Sequence, residues 1–170
     1  LIEKGPEIGS HALSGAVLDP IALRELIPDF AERGAPLQPV LRDEICFLTP
    51  RRHFRLPVVP PPLQNHANQI VSLGRLVRWL AGMLEKQGGV DLLPGFGGRE
   101  ILYEGERVAG VRTGDKGIDR NGQRKPNYEP GIDIRSRVTI LGEGPRGTLV
   151  KEMTGRLHLD RGSSPQIYST

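Results

Sequence analysis

Cysteine is almost absent from the sequence, since Cys46 is the only one. A single thiol excludes an internal disulfide, and it excludes any zinc or iron-sulfur site with cysteine ligands from this chain alone. Long apolar runs are also missing: no stretch reaches the roughly 18 uninterrupted apolar residues that a membrane-spanning helix needs. Because Cys46 stands in a β-like run, we expect it to be a small core residue.

An excess of either charge is lacking too. Lys and Arg number 23 against 20 Asp and Glu, the net charge is +3, and the two signs are interspersed, which argues against nucleic-acid binding. The 170 residues suffice for one domain with a core, and 22 Gly with 15 Pro indicate long connections. The abrupt start at Leu1 and a strand-like run over 166–170 favour a fragment of a longer protein.

Two helices are predicted from periodicity and terminal signals. Apolar residues recur at three- and four-residue spacing from Leu73 to Leu84, where Ser72 can cap the start and Gly88-Gly89 ends the helix. A shorter helix begins at Asp19-Pro20, with aspartate as the cap and proline at the first position, and Pro28 ends it.

Strands are predicted before and after the longer helix. A hairpin is expected within 42–59, a strand over 69–72, and a second hairpin from 99–103 and 108–113. A polar loop is expected over 114–131, followed by a strand over 132–141. Strands that alternate with helices and Gly-rich turns favour the α/β class, in which nucleotide-binding sheets are common.

An acid between glycines follows this last strand. The stretch 139–149 reads T-I-L-G-E-G-P-R-G-T-L, so an apolar run stops at Glu143 and a segment with helical spacing follows. Glycines permit close approach to a ligand, and helix N-H groups bind phosphate, while Glu143 can accept a sugar hydroxyl. An ordinary βα turn explains the same residues, and on this pattern alone it is favoured about two to one.

The sequence contains several long, irregular motifs: I-G-S-H-A-L-S-G-A-V-L-D-P (8–20), E-L-I-P-D-F (25–30), R-G-A-P-L (33–37), N-H-A-N-Q-I-V-S-L-G-R-L-V-R-W-L (65–80), G-I-D-R-N-G (117–122) and T-I-L-G-E-G-P-R-G (139–147). Together these motifs resemble the electron-transfer flavoprotein:ubiquinone oxidoreductase family. The resemblance implies an α/β fold: a fragment of an FAD/NAD(P)-binding domain of the glutathione-reductase type with β-hairpin insertions. Residues 1–170 would be part of this FAD domain, and 31–72 would begin the inserted quinone-side β region. The phosphate-binding G-x-G-x-x-G and the iron-sulfur domain are expected outside the chain.

The resemblance assigns cofactor-binding positions near the start of the chain. Glu3 matches the acid that binds the adenosine ribose hydroxyls in such flavoproteins. Ser14 and Gly15 match a segment beside the flavin, where a small residue lets the ring approach backbone N-H groups. His11 is an FAD or phosphate donor at even odds, because a lone histidine is as often structural.

Further cofactor positions are assigned beyond the long helix. Gly97 stands where this fold brings backbone close to adenine, although the surrounding sequence departs from the family's alanine-rich pattern. Glu143, Gly144 and Gly147 match an acid-glycine turn that meets the ribityl or pyrophosphate part of FAD. Gly142 replaces an expected alanine, and Pro145 removes one N-H donor. No catalytic acid, base or nucleophile and no metal ligand is expected.

The implied reaction of the full-length family is respiratory electron transfer. Reduced electron-transfer flavoprotein and ubiquinone are the implied partners, and FAD and a 4Fe-4S cluster carry the electrons, the cluster not being ligated by this chain. The resemblance also implies monotopic association with the mitochondrial inner membrane or the bacterial cytoplasmic membrane, through apolar residues within 8–30. The alternative is that these apolar residues belong to the ordinary core. We expect the isolated chain to be inactive and to bind FAD weakly or not at all.

Two other functions fit part of the pattern. One is a flavin-dependent reductase of the geranylgeranyl reductase type, whose members tend to have an arginine at the start of the long helix, where this chain has Leu73. The other is a non-catalytic module that has lost FAD.

Overall fold

The computed structural model describes residues 1–12, 14–144 and 146–162. The described part has three α-helices, α1 (Ile21–Leu26), α2 (Leu73–Gln87) and α3 (Thr148–Leu157), and a short 3-10 helix at Pro61–Leu63. The strands are β1 (Ile2–Glu3), β2 (Ser14–Leu18), β3 (Leu37–Pro39), β4 (Cys46–Leu48), β5 (His53–Arg55), β6 (Gln69–Ser72), β7 (Leu93–Pro94), β8 (Gly98–Glu104), β9 (Arg107–Thr113), β10 (Lys116–Ile118), β11 (Arg124–Glu129) and β12 (Asp133–Arg135). The strand-like run predicted over 166–170 lies outside the described residues.

The chain divides into two compact units. The first comprises residue 1 and residues 5–94, and the second comprises residues 2–4 and the described residues from 95 onward. Helices and strands in this order confirm the prediction of a small α/β domain. The more specific FAD/NAD(P)-binding fold stays a prediction, because the two three-stranded sheets of the described residues are built from antiparallel pairs.

The first unit is organised around β6. This strand pairs antiparallel with β2 on one side and β3 on the other, and its Val71 is almost fully buried. β6 leads without a break into α2, so the sheet fixes where the helix begins. Leu76, one turn into α2, is also buried and supplies the helix's contribution to the core.

The ends of the two predicted helices are partly as expected. The Asp19 carboxylate accepts the Ile21 N-H at 3.1 Å, but the N-cap residue of α1 is Pro20 rather than Asp19, and the helix begins one residue later than expected. The C-cap residue of α2 is Gly88, whose φ of 74° suits glycine. Ser72 is the N-cap residue of α2, as expected, but its side chain makes no capping hydrogen bond. Ser72 is the last residue of β6, where its extended backbone pairs with Ser14.

The predicted hairpin within 42–59 is confirmed. β4 and β5 pair antiparallel with Phe47 opposite Phe54, and all six of their residues are exposed. The expectation that Cys46 is a core residue is therefore wrong. Cys46 is exposed, because no other element in the described part of the first unit covers the hairpin. The loop that carries the hairpin is closed by Asn65, whose backbone N-H and side-chain amide both donate to the Asp43 carboxylate at 2.8 Å.

The second unit is built on the antiparallel sheet β12-β9-β8 with α3 against it. Ile101, Val111 and Leu149 form the buried cluster, so both the predicted hairpin β8–β9 and the helix contribute to this core. Gly110 has a φ of 145°, and a Cβ there would lie 2.1 Å from the Ile134 carbonyl oxygen. Only glycine therefore allows β12 to lie so close to β9.

Two predictions for the second unit are wrong. The polar loop expected over 114–131 contains the hairpin β10–β11, which turns at Asp119 through N-H bonds from Asn121 and Gln123 to the aspartate Oδ1 at 2.8 Å. The strand expected over 132–141 is limited to β12. An apolar run becomes a strand only where a neighbour supplies hydrogen bonds, and Ile140 is 91% exposed.

Candidate functional site

A cavity of about 320 Å³ lies beside Gly15 in the first unit. Its other lining residues are Pro36, Gln38, Ile70, Val71, Ser72 and Arg75. The β2–β6 register shifts between Ser14 and Ala16, so Gly15 lies at an irregularity of the strand with a φ of 86°. Apart from its chain neighbours, no described residue has an atom within 4 Å of where the Gly15 Cβ would be. The backbone at Gly15 is therefore open to a ligand.

The other two predicted positions of this unit are placed less informatively. Ser14 begins β2 next to Gly15, and Leu13 before it lies outside the described residues, as does the Ser14 side chain. His11 is exposed and already has an interaction partner within the chain. Gly15 lines the cavity, whereas His11 does not.

In the second unit, Glu3 and Gly97 lie on neighbouring segments. The Phe96 N-H donates to the Glu3 carbonyl oxygen at 2.9 Å, and a Cβ on Gly97 would contact the Lys4 side chain at 3.5 Å. The Glu3 residue is half-buried and has a further partner within the chain. Lys116 Nζ lies 3.3 Å from the centre of the Phe96 ring, which adds a cation beside this turn.

The acid-glycine turn holds the start of α3. Glu143 Oε2 accepts the N-H of Val150, in the first turn of α3, at 2.9 Å. A Cβ on buried Gly147 would lie 2.6 Å from the Glu143 Cβ, so glycine is needed for the side chain to reach the helix. A carboxylate here also suits the positive end of the helix dipole.

Gly144 is the part of this turn that stays accessible. Its φ is 71°, and apart from its chain neighbours no described residue has an atom within 4 Å of where its Cβ would be. Its carbonyl accepts the Gly147 N-H at 3.2 Å, which tightens the turn. Pro145, expected to remove an N-H donor, lies outside the described residues.

Gly98 shows how these segments converge. A Cβ on Gly98 would lie 2.9 Å from the Leu149 side chain, 3.1 Å from that of Val111 and 3.6 Å from that of Ile2. Ile2 is next to Glu3, Gly98 is next to Gly97, and Leu149 is two residues after Gly147. These three residues therefore lie close together. The structure thus brings Glu3, Gly97 and the acid-glycine turn into one region of the second unit.

The sequence interpretation missed the polar lining of the Gly15 cavity. Gln38, Ser72 and Arg75 come from β3, β6 and α2, and no short motif joins them. Arg75 is an exposed residue of α2 that also lines the cavity. Periodicity alone would not have found this, because it assigns a residue to a helix face without naming what lies opposite.

Neither a metal centre nor a membrane span is found in the part of the chain that the structure describes. There, no three or more His, Cys, Asp or Glu side chains are grouped so that they could hold a metal ion. None of the helices over the same residues is both long and apolar enough to cross a bilayer.

The fold and these glycine-lined turns define a small α/β domain that is compatible with part of a flavoprotein domain. No protein-family model matches the chain. Among curated proteins, an electron transfer flavoprotein-ubiquinone oxidoreductase of Dictyostelium discoideum mitochondria is 44% identical over 170 residues, and the Bos taurus mitochondrial protein of that name is 42% identical over 171. A probable member from Acinetobacter baylyi is 41% identical over 173 residues.

Each of these three alignments covers 99% of this chain. The chain belongs to the electron transfer flavoprotein-ubiquinone oxidoreductase family. It spans 28% of the length of the first two relatives and 30% of the bacterial one. The names of these relatives do not favour a geranylgeranyl reductase or a module without electron-transfer function.

Proposed function

We propose that the chain is part of the FAD-binding region of an oxidoreductase that passes electrons from reduced electron-transfer flavoprotein to ubiquinone in a respiratory chain. The observation that carries this proposal is the match over 99% of the chain to relatives with that name, at 41–44% identity. Because the chain spans less than a third of these relatives, the reaction belongs to a longer protein.

The Gly15 cavity fits one part of a flavin cofactor. Its volume of about 320 Å³ is at the small end of ligand pockets, which start near roughly 300 Å³. Gly15 leaves the backbone approachable, Ile70 and Val71 give an apolar wall, and Arg75 supplies a cation. When bound, FAD would supply reversible uptake and release of electrons.

The second unit, taken by itself, has groups suited to the adenosine and phosphate side of FAD. Glu3 lies at the end of β1, where a carboxylate can accept hydrogen bonds from both hydroxyls of a ribose. Gly97 and Gly144 allow close approach of backbone. Because the Glu143 carboxylate bonds to Val150, its role in this proposal is to hold the turn in position rather than to bind the cofactor through Oε2.

Monotopic membrane association is also proposed, on the mitochondrial inner membrane or the bacterial cytoplasmic membrane. Its support is exposed apolar side chains: Phe47 and Phe54 on the β4–β5 hairpin are 63% and 53% exposed. Within 8–30, α1 has no buried residue, and Ile21 and Leu26 are exposed. Apolar side chains of this kind enter the interfacial region of a bilayer.

A chimaera tests the electron-transfer proposal. The matching segment of the Acinetobacter baylyi relative is replaced by this chain, and ubiquinone reduction by reduced electron-transfer flavoprotein is measured. We expect the chimaera to be active and Gly15→Val to lower the rate about tenfold or more, since a branched side chain blocks the approach to the backbone and is strained at a φ of 86°.

Gly89→Val is the matched control. Gly89 has a φ of 79° and equally open surroundings, but it does not line the cavity. Backbone strain alone would make the two variants equally slow, and that result would contradict a role of Gly15 at the cofactor.

A further inference from the structure

Gly82 is a glycine inside α2 that no protein contact explains. It stands between Leu73 and Gln87, where glycine is less favourable for a helix than alanine. Apart from its chain neighbours and the backbone of α2 itself, no atom in the described part of the chain lies within 4 Å of the position of its absent Cβ. Close packing of another segment of this chain is therefore not what requires glycine here.

The surface at Gly82 is the floor of a second cavity. This cavity has a volume of about 770 Å³, and half-buried Trp79, Gly82 and Met83 lie at its base. The exposed residues Arg33, Arg78, Lys86 and Gln87 complete the lining. It shares no lining residue with the cavity at Gly15, and its volume is in the range of small-molecule sites.

The rim of this cavity carries net positive charge. Arg33 Nε is paired with the Asp29 carboxylate at 2.7 Å, so its charge is largely balanced. Arg78 and Lys86 form no ion pair within the described residues. Arg78 and Lys86 lie eight residues apart along α2, about two turns, and both are exposed beside the apolar floor.

The floor is held in place by a hydrogen bond. The Trp79 indole Nε1-H donates to the Arg33 carbonyl oxygen at 3.1 Å, which joins α2 to the segment before β3. The aromatic ring and one side of the rim are thereby fixed relative to each other before any ligand binds, which lowers the cost of ordering them.

We propose that this second cavity binds a phosphate monoester, with the phosphate at Arg78 and Lys86 and the attached organic group over Gly82 and Trp79. Arginine offers paired N-H donors that match phosphate oxygens, and lysine adds a compact charge. Glycine at position 82 lets the organic group reach the helix backbone. A free phosphate monoester and a phosphatidic acid headgroup share this chemistry.

The single tryptophan makes the test direct, because Trp79 gives one indole N-H signal in a ¹⁵N-correlated NMR spectrum. Phenyl phosphate is titrated into the 170-residue chain, with phenol and inorganic phosphate in parallel. We expect a saturable shift of the indole signal with phenyl phosphate, weaker binding of inorganic phosphate, and no saturation with phenol at the same concentrations. Added salt should weaken the binding.

Charge variants and a floor variant identify the site. Arg78→Gln and Lys86→Gln should each weaken phenyl phosphate binding about threefold, whereas Lys151→Gln on α3 removes an exposed charge elsewhere and should leave it unchanged. Gly82→Leu should abolish binding while raising the thermal midpoint of unfolding, since leucine favours helix. These opposite effects separate a filled site from a misfolded chain.

Vesicles distinguish the two sources of the phosphate. A lipid headgroup is supported if the chain sediments with phosphatidic acid vesicles in a way that depends on Arg78 and Lys86, and does not sediment with vesicles of phosphatidylcholine alone. A free ligand is supported if the chain binds phenyl phosphate but does not sediment with phosphatidic acid vesicles. The proposal is overturned if the indole signal does not saturate, or if Gly82→Leu binds phenyl phosphate as the unaltered chain does. Neither result bears on the FAD proposal, which uses other residues.

Discussion

Glu143 acts through its side chain on the start of a helix. Its carboxylate accepts the Val150 N-H, and Gly147 leaves the space that this bond requires. The residue therefore fixes the direction in which α3 leaves the turn, and α3 in turn places Leu149 in the core of the second unit. A residue assigned to ligand binding by resemblance thus has a structural role that any cofactor role must accommodate.

Replacing Glu143 separates these roles. Glu143→Ala should lower the free energy of unfolding by about 1 kcal/mol, because the Val150 N-H loses its acceptor. Glu143→Gln keeps an acceptor oxygen and should lose less. Urea unfolding followed by far-UV circular dichroism measures both, with Glu152→Ala on the exposed side of α3 as control. A loss no larger for Glu143→Ala than for the control would mean that the bond contributes nothing.

The sequence was sufficient to predict which residues of the acid-glycine turn and of the Gly15 segment are important, but it was less informative about the role of each. The glycines at 15, 144 and 147 were singled out, and each has a positive φ or a close neighbour that explains glycine. The partner of Glu143 was not predictable from its neighbours, because Val150 is seven residues away and the bond exists only once the helix forms.

At the scale of elements, an ionic row ties the three strands of the second unit's sheet. Arg112 on β9 bonds to Asp133 on β12 at 2.6 and 3.0 Å and to Glu100 on β8 at 3.1 Å. The hydrogen bonds from Arg112 lower the pKa of Asp133 below its ordinary value of 3.8. The folded chain therefore binds this proton more weakly than the unfolded chain does.

This sign predicts a loss of stability in acid. The contribution of Asp133 is present above pH 3.8 and is lost as the pH falls through the lowered pKa. Asp133→Asn should lower the thermal midpoint at pH 7 and flatten its decline below about pH 4. Asp91→Asn, an exposed aspartate in the first unit, is the control. An unchanged pH profile in Asp133→Asn would refute the linkage, and high salt should shrink the effect.

The β4–β5 hairpin makes the membrane proposal testable. The double variant Phe47→Ser with Phe54→Ser should reduce flotation of the chain with lipid vesicles several-fold, because two exposed aromatic side chains are lost from the bilayer contact. Val138→Ser with Ile140→Ser removes apolar side chains of the second unit that are even more exposed. If both pairs reduce flotation alike, the effect is general hydrophobicity and the hairpin is not the contact.

Elements were predictable where the signal is local. α2 combines apolar periodicity with a terminal glycine, and the structure has it within one residue of the expected ends. β10–β11 was missed because its strands are polar, although the Asp119 turn with Asn121-Gly122 was a usable signal. The stretch from Val138 to Leu141 was wrongly predicted to be a strand, because an apolar pattern does not show whether a partner strand is present.

At the scale of the whole molecule, the class and the family agree with what the sequence indicated, while the binding sites required coordinates. The cavity at Gly15 draws residues from β2, β3, β6 and α2, and the cavity at Gly82 joins α2 to Arg33. Residues so far apart in the chain share no spacing rule. Their proximity depends on strand register and helix phase, which only the folded chain fixes.

The central claim is that this chain supplies part of an FAD site. The most direct measurement is the number of flavins per chain in the purified Acinetobacter baylyi chimaera, from its visible absorbance and protein concentration. We expect one FAD per chain, with a clear loss of flavin in Gly15→Val but not in Gly89→Val. A folded, soluble chimaera that purifies without flavin, beside a fully loaded parent protein, would contradict it.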